Sequence, residues 1–250
     1  MAHRNLLRLM HEPDEIFLGL MIPIMMALVF GYVFGSAMST GGPVYREFLM
    51  AGIFAQTMLY GIASTATGVA IDAEKGVIDR FRSMPTARSA VVVGRSLADM
   101  VKGTADMVLL VVCGLLIGWR WHEGVLSALA AVGLVLLLRI AFTWVGIFLG
   151  LVVRNPDSAS LAVYPMAFPV TVLSNAFVPP KEMPTWLAVV AEWNPLASTV
   201  AASRDLFGNP GFQADSWPAE HALLLAVAWP LVLLAVFVPL SVRRYRRLSR

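Results

Sequence analysis

Residues 125–153 read VLSALAAVGLVLLLRIAFTWVGIFLGLVV, a run interrupted by a single charged side chain, Arg139. Crossing the hydrocarbon core takes roughly 20 predominantly apolar residues as helix, so this stretch spans a membrane with turns to spare. Five further runs of the same kind follow from the same reading: Ile16 to Phe34, Phe48 to Ile71, Leu97 to Trp119, Ser160 to Val178 and His221 to Val242. Six crossings place both termini on one side. The first run is too long for a signal-peptide core and is followed by five more, so it is expected to be retained.

Composition points the same way. With 58% hydrophobic and 14% charged residues, and a mean hydropathy of +0.72, the chain has too little polar surface to clothe a 250-residue soluble globule. A net charge of +3 and a pI near 9.3 would suit a nucleic-acid binder, but the basic residues sit in the gaps between apolar runs and not along one exposed face. No nucleic-acid partner is expected. The lone Cys113, within the third run, reads as a small buried hydrophobe and excludes an internal disulfide framework.

Lysine and arginine in short loops set orientation, because cytoplasmic segments retain an excess of them. One set of gaps holds Arg4, Arg8, Lys75, Arg80, Arg82, Arg88, Arg95, Lys102, Arg154 and the tail residues Arg243, Arg244, Arg246, Arg247 and Arg250. The opposite set holds Arg46, Arg120, Lys181 and Arg204. Both termini are therefore expected in the cytoplasm of a multi-pass protein of the cell membrane. Residues 1–15, MAHRNLLRLMHEPDE, read as an interfacial helix before Pro13 turns the chain into the bilayer, or else as a disordered basic tail.

The longest charged stretch, IDAEKGVIDRFRSMPTARSAVVVGRSLADM at 71–100, forms the main cytoplasmic element. Asp79, Arg80, Phe81, Arg82 and Met84 mix charge with apolar side chains as a docking surface does, although many such helices only anchor a loop. Arg95, Asp99, Lys102 and Asp106 then follow at spacings of four, three and four, on one helical stripe of alternating sign. An arginine at mid-bilayer depth normally faces the protein interior with a partner. Arg139 is therefore expected to form an intramembrane pair with Asp106 between spans three and four, either to fix packing or to contact substrate.

Pro165 and Pro169 break the outer half of span five, with freed backbone groups met by neighbours or by Ser174 and Asn175. The stretch 178–220 carries Trp186, Trp193 and Trp217 among several prolines and is expected as short extracellular or re-entrant helices in the outer leaflet. A seventh span there would move the basic tail outside, against the charge rule.

Several chemistries lack their residues. There is no G-x-x-x-x-G-K-[ST] loop to cradle phosphates, no H-E-x-x-H, and no Cys and His cluster at metal spacing. No metal site, no catalytic residue and no cofactor held by this chain are expected. No relay of carboxylates crosses the bilayer, which weakens a proton-coupled transporter.

The loop EKGVIDRFRSMPTARSAVVVGRSLAD, the outer segment FPVTVLSNAFVPPKEMPTWLAVVAEWNPLAS and the following ASRDLFGNP resemble the permease subunits of ABC-2 type exporters, most closely the daunorubicin-resistance branch. The similarity runs in order through nearly the whole chain. It implies an all-α fold of six transmembrane helices forming one domain over residues 1–250, with 72–95 as a cytoplasmic coupling region. It further implies pairing with a second permease, identical or related, and with two copies of a separate ATPase that carries ATP and Mg. The coupling contacts implied are Glu74, Gly76, Asp79, Arg80, Arg82, Ser83, Met84 and Pro85, and the charged stripe from Arg95 to Asp106 would tie that loop to the span it enters. The cargo implied is a hydrophobic or amphipathic drug, antibiotic or lipid, with polysaccharide or glycolipid export, or transport not linked to ATP, as alternatives. Candidate cavity residues are Phe54, Gln56, Met58 and Tyr60 on span two with Phe168, Ser174 and Asn175 on span five.

The threading has a direct check. In a Cys113→Ala background, an impermeant maleimide applied to intact cells should modify Ser39→Cys and leave Ser249→Cys untouched; labelling of Ser249→Cys from outside reverses the orientation.

Overall fold

The computed structural model describes residues 13–34, 42–75, 88–153, 155–178, 183–211 and 216–248. Residues 1–12 and 76–87, which carry most of the expected interfacial helix and most of the expected docking surface, lie outside these. The described residues form helices α1 (Pro13–Leu28), α2 (Gly42–Glu74), α3 (Arg88–Ile117), α4 (Gly124–Val152), α5 (Pro156–Val172), α6 (Thr185–Glu192), α7 (Pro195–Phe207), α8 (Trp217–Glu220) and α9 (Ala222–Leu248). A π-helical turn, Val29–Phe34, continues α1.

Four of these helices, within α2, α3, α4 and α9, are long and apolar enough to cross a membrane. At 1.5 Å per residue the 33-residue α2 is about 50 Å long and overreaches a hydrocarbon core of roughly 30 Å at its ends. The first expected span is helical throughout, as α1 and the π-helical turn that continues it. The fifth expected span, Ser160 to Val178, is helical only to Val172, and the 17 residues of α5 cover about 25 Å. Beyond Val172 the chain turns. The 8-residue α6 and 13-residue α7 are too short to cross, in keeping with short helices after the fifth run and not a seventh span.

Asparagine followed by proline starts two of these helices. Asn155 accepts from the amides of Asp157 and Ser158, with Pro156 in the first turn, where its missing N–H costs nothing. Asn194 caps α7 in the same way, accepting from Leu196 ahead of Pro195. Gly208, at φ 67°, ends α7 in the left-handed conformation that a side chain would disfavour.

Helix α4 is the centre of the bundle, packed against α2, α3, α7 and α9. Its contact with α2 is the most extensive in the molecule. Small residues make that approach possible: Gly146 and Gly150, one turn apart, face the Ile62 and Ala66 carbonyls of α2. A Cβ on Gly146 would lie 2.9 Å from the Ile62 oxygen, and one on Gly150 would collide with the Ala66 oxygen. Close helix contact through small residues is the means of association where lipid removes the hydrophobic drive between helices. Leu59, Ala63, Ala66, Leu138 and Phe142 fill the space around the seam.

The ends of the bundle differ. At one, Val69, Val92, Trp144, Leu151 and Tyr245 bring the last turns of α2, α4 and α9 against the start of α3, so the helix ends that flank residues 76–87 share an end with Arg243 and Arg244 of α9. At the other, Phe54, Trp119 and Phe207 pack edge to face at 4.9–6.2 Å.

Overpacking a dry helix seam costs about 1–3 kcal/mol. Gly150→Leu should lose that much in unfolding free energy, whereas Gly133→Leu, on α4 with nothing within 4 Å of its Cβ, should be near neutral. Denaturant titration of the purified protein in detergent reads both.

Candidate coupling site

At the loop end, the stripe expected on α3 is present, and the structure divides it into two ion pairs. Arg95 Nε donates to Asp99 Oδ2 at 3.2 Å, and Lys102 Nζ to Asp106 Oδ2 at 3.0 Å. Arg95 also crosses to the neighbouring helix: its Nη1 meets Asp72 Oδ2 of α2 at 3.3 Å. It reaches there because Gly68 leaves a notch in α2, where a Cβ would collide with the guanidinium.

Deeper in the bundle Arg139 is 2% exposed. The expected ion pair with Asp106 is not the contact found. Asp106 is held by Lys102 one turn back on its own helix, and Arg139 Nη1 donates to the Met58 carbonyl of α2 at 3.2 Å. The physical reason is the space left by two glycines: the guanidinium lies where a Gly61 side chain would stand, and the stem passes 3.0 Å from where a Gly103 Cβ would be. Both charges do sit on one seam between α3 and α4, since Gly103 is one turn from Asp106. Asp106 Oδ1 and Arg139 Nε are buried there without hydrogen-bond partners.

The opposite end holds a second buried arginine. Arg204 of α7, also 2% exposed, donates from Nε to the Phe48 carbonyl at 2.9 Å, from Nη1 to Asn175 at 2.9 Å and from Nη2 to Ala176 at 3.0 Å. Its guanidinium lies 3.6 Å from the Phe48 ring centroid. Burial lowers its pKa to about 9, with Asp205 and Tyr45 pulling upward, so it stays cationic at neutral pH. Asn194 Nδ2 reaches the Val170 and Leu173 carbonyls at 2.6 and 2.7 Å, and Ser174 Oγ donates to Thr171. The carbonyls freed where α5 stops are thus met by Asn194, Arg204 and Ser174. Asn209 completes this end, accepting from Trp119 Nε1 and donating to the Arg120 carbonyl, both at 2.7 Å.

Among the described residues no group of three or more His, Cys, Asp or Glu is placed to hold a metal ion. What the described residues offer here is charges that bind α2 to α3 beside residues 76–87, and a close backbone seam of α2 on α4 behind them.

Comparison with known proteins settles the setting of this geometry. Residues 1–207 match the family described as ABC-2 type transporter. The chain belongs to that family. It is 31% identical over 244 residues to the daunorubicin resistance ABC transporter permease protein DrrB1 of Streptomyces coeruleorubidus, covering 97% of this chain and 83% of that one. It is also similar to the doxorubicin resistance ABC transporter permease protein DrrB of Mycobacterium tuberculosis, 27% identical over 90% of this chain and 78% of that one. The putative transport permease ycf38 of Porphyra purpurea is 22% identical over 84% of this chain and 73% of that relative.

In this ABC-2 permease the residues singled out from sequence fall into three groups. Glu74 is exposed at the end of α2, while Gly76, Asp79, Arg80, Arg82, Ser83, Met84 and Pro85 lie outside the described residues. Phe54 and Met58 are buried, Phe54 packing on Trp119 and Phe207, so within this chain they fill core space instead of an opening. Gln56 and Tyr60 are partly exposed, and Tyr60 pairs with Tyr164 of α5 at 6.1 Å. Phe168 is 62% exposed, Ser174 is buried in the turn after α5, and Asn175 lends its carbonyl to Arg204.

Sequence reasoning placed Arg204 among loop arginines and missed its role. Its position beside the N-P cap at 194–195 and before F-G-N-P was the available signal. Arg204→Met should leave the Asn175 and Ala176 carbonyls without this donor, while the Phe48 carbonyl keeps its place in the α2 helix, and cost roughly 2 kcal/mol or more, at about 1–3 kcal/mol for each buried unsatisfied group. Arg204→Lys, with one donor head in place of a fork, should recover only part of the loss in the same unfolding assay.

Proposed function

We propose that this chain is the membrane-embedded permease subunit of an ATP-driven exporter that moves a hydrophobic or amphipathic compound, such as an anthracycline-like drug, out through the cell membrane. The observation that carries this reading is the similarity over 97% of the chain to a daunorubicin resistance permease. The short loop between α2 and α3 supports it: with 12 residues between Glu74–Lys75 and Arg88 there is room for a docking element and none for a nucleotide-hydrolysing domain.

In this reading residues 1–250 act as one transmembrane domain with both termini cytoplasmic, and 178–220 lie at the outer leaflet. Two copies of a separate ATPase bind ATP and Mg, and a second permease, a copy or a relative, completes the pathway. The chain binds no cofactor itself. Nucleotide-driven closure of the ATPases bears on the coupling region 72–95, moves α2 and α3, and rearranges a mainly apolar path between the two permeases. The arginine-rich end of the bundle, with Arg243 and Arg244 on the last turns of α9, is the face that meets the cytoplasm and its anionic lipid.

Co-purification of the tagged chain from its native membrane should bring down a nucleotide-hydrolysing companion. In proteoliposomes the complex should move daunorubicin only with ATP and Mg. Arg82→Glu or Met84→Glu should abolish substrate-stimulated hydrolysis while membrane insertion persists. Unchanged stimulation in both variants removes 79–85 from the docking surface, and transport by the chain without any ATPase removes the exporter assignment.

A further inference from the structure

We infer that Arg95 is a positioning residue for coupling, a clasp that binds the loop ends of α2 and α3 into one lever. The inference rests on the exporter reading and adds to it the place where a push on the loop becomes joint helix movement.

Three observations converge on Arg95. Its guanidinium is shared between carboxylates of two helices, Asp72 on α2 at 3.3 Å and Asp99 on α3 at 3.2 Å. The Gly68 notch admits it, and any side chain at 68 would meet the guanidinium. The backbones of α2 and α3 approach sparsely compared with α2 on α4, and away from the loop end the two helices meet through apolar side chains such as Met50, Phe54, Met107 and Leu110. Where packing between two helices is thin, a single bridging contact decides whether they move together.

The position fits a lever. Asp72 lies two residues before the end of α2, and Arg95 lies seven residues into α3, about 10 Å along it at 1.5 Å per residue. The clasp therefore joins the two helix ends that flank residues 76–87. The pair is partly exposed, with side-chain accessibilities of 20% and 29%, and such pairs add little to global stability. Its contribution is geometric: a planar fork on two carboxylates fixes both distance and orientation in a way a lysine does not.

With the clasp closed, a load on the loop moves α2 and α3 as a body. With it open, the helices respond separately and hydrolysis by the partner runs ahead of transport. The cost of opening by Gly68→Val is small for the fold, because what must move aside is the flexible end of Arg95.

The reconstituted complex with its ATPase, using daunorubicin as probe, tests this. Arg95→Gln and Gly68→Val should insert and assemble with the ATPase, while daunorubicin moved per ATP falls fivefold or more. Arg95→Lys should lie between. In parallel, spin labels on Glu74→Cys and Ser89→Cys in a Cys113→Ala background should give one narrow distance in the otherwise wild-type chain and a broad one in Arg95→Gln. Wild-type transport with an undiminished daunorubicin-to-ATP ratio in both Arg95→Gln and Gly68→Val overturns the clasp and leaves the exporter reading intact. A wild-type complex that neither assembles nor transports overturns the exporter reading and this inference with it, and an unbroadened distance in Arg95→Gln overturns the clasp even then.

Discussion

Where no water reaches, every charge and every freed backbone group needs a partner inside the protein, and the rest of this structure follows from that requirement. Arg139 and Arg204 are both nearly inaccessible, and the hydrogen bonds each makes go to backbone carbonyls, with Arg139 Nε left unpartnered beside Asp106. A carbonyl is already present on every turn, needs no second buried charge, and accepts from a guanidinium at any depth. The condition is proximity. Glycine supplies it at 61 and 103 around Arg139, and the stopped helix α5 supplies it around Arg204.

That choice explains why some of the molecule was legible in its sequence and some was not. Span four needed only composition and length, and its helix, Gly124–Val152, begins and ends within one residue of the apolar run. The end of span five was partly legible: the run LSNAFVPP marks where the chain leaves the helix, whereas Pro165 and Pro169, also expected to break it, lie inside α5, which continues to Val172. What satisfies the break was half legible. Ser174 is local and was named, whereas Asn194 and Arg204 come from 20 to 30 residues downstream and no periodicity links them to Val170 or Asn175.

The stripe on α3 shows the same division more sharply. Spacings of four, three and four fix which side chains share a face, and Lys102 and Asp106 do pair along it. The same arithmetic says nothing about the helix opposite. Pairing Arg139 with Asp106 treated charge as the deciding term, but at close range shape decides. Gly61 makes a guanidinium-sized recess beside the Met58 carbonyl, and a recess is invisible in a sequence until the facing helix is known. Glycine in a transmembrane helix marks a close approach without saying to what. Here Gly61 and Gly68 of α2 receive arginines, while Gly52 of α2 and Gly146 and Gly150 of α4 receive carbonyls.

These two uses of glycine have different mechanical consequences. A carbonyl against Gly146 or Gly150 is backbone on backbone, with nothing to rotate out of the way, so α2 and α4 form a stiff pair. An arginine in a glycine notch is a removable key: the contact is as specific, yet four side-chain torsions can withdraw it without disturbing either helix. Helix α3 is held to α2 by the key at Arg95 and by little backbone contact. A permease that must stay assembled in lipid while its loop is worked from outside needs both kinds of joint, and the loop enters α3, the helix held by the key. Whether α3 follows the stiff α2–α4 pair is therefore decided at Arg95, where the interaction that joins the helices is one that can open and close again.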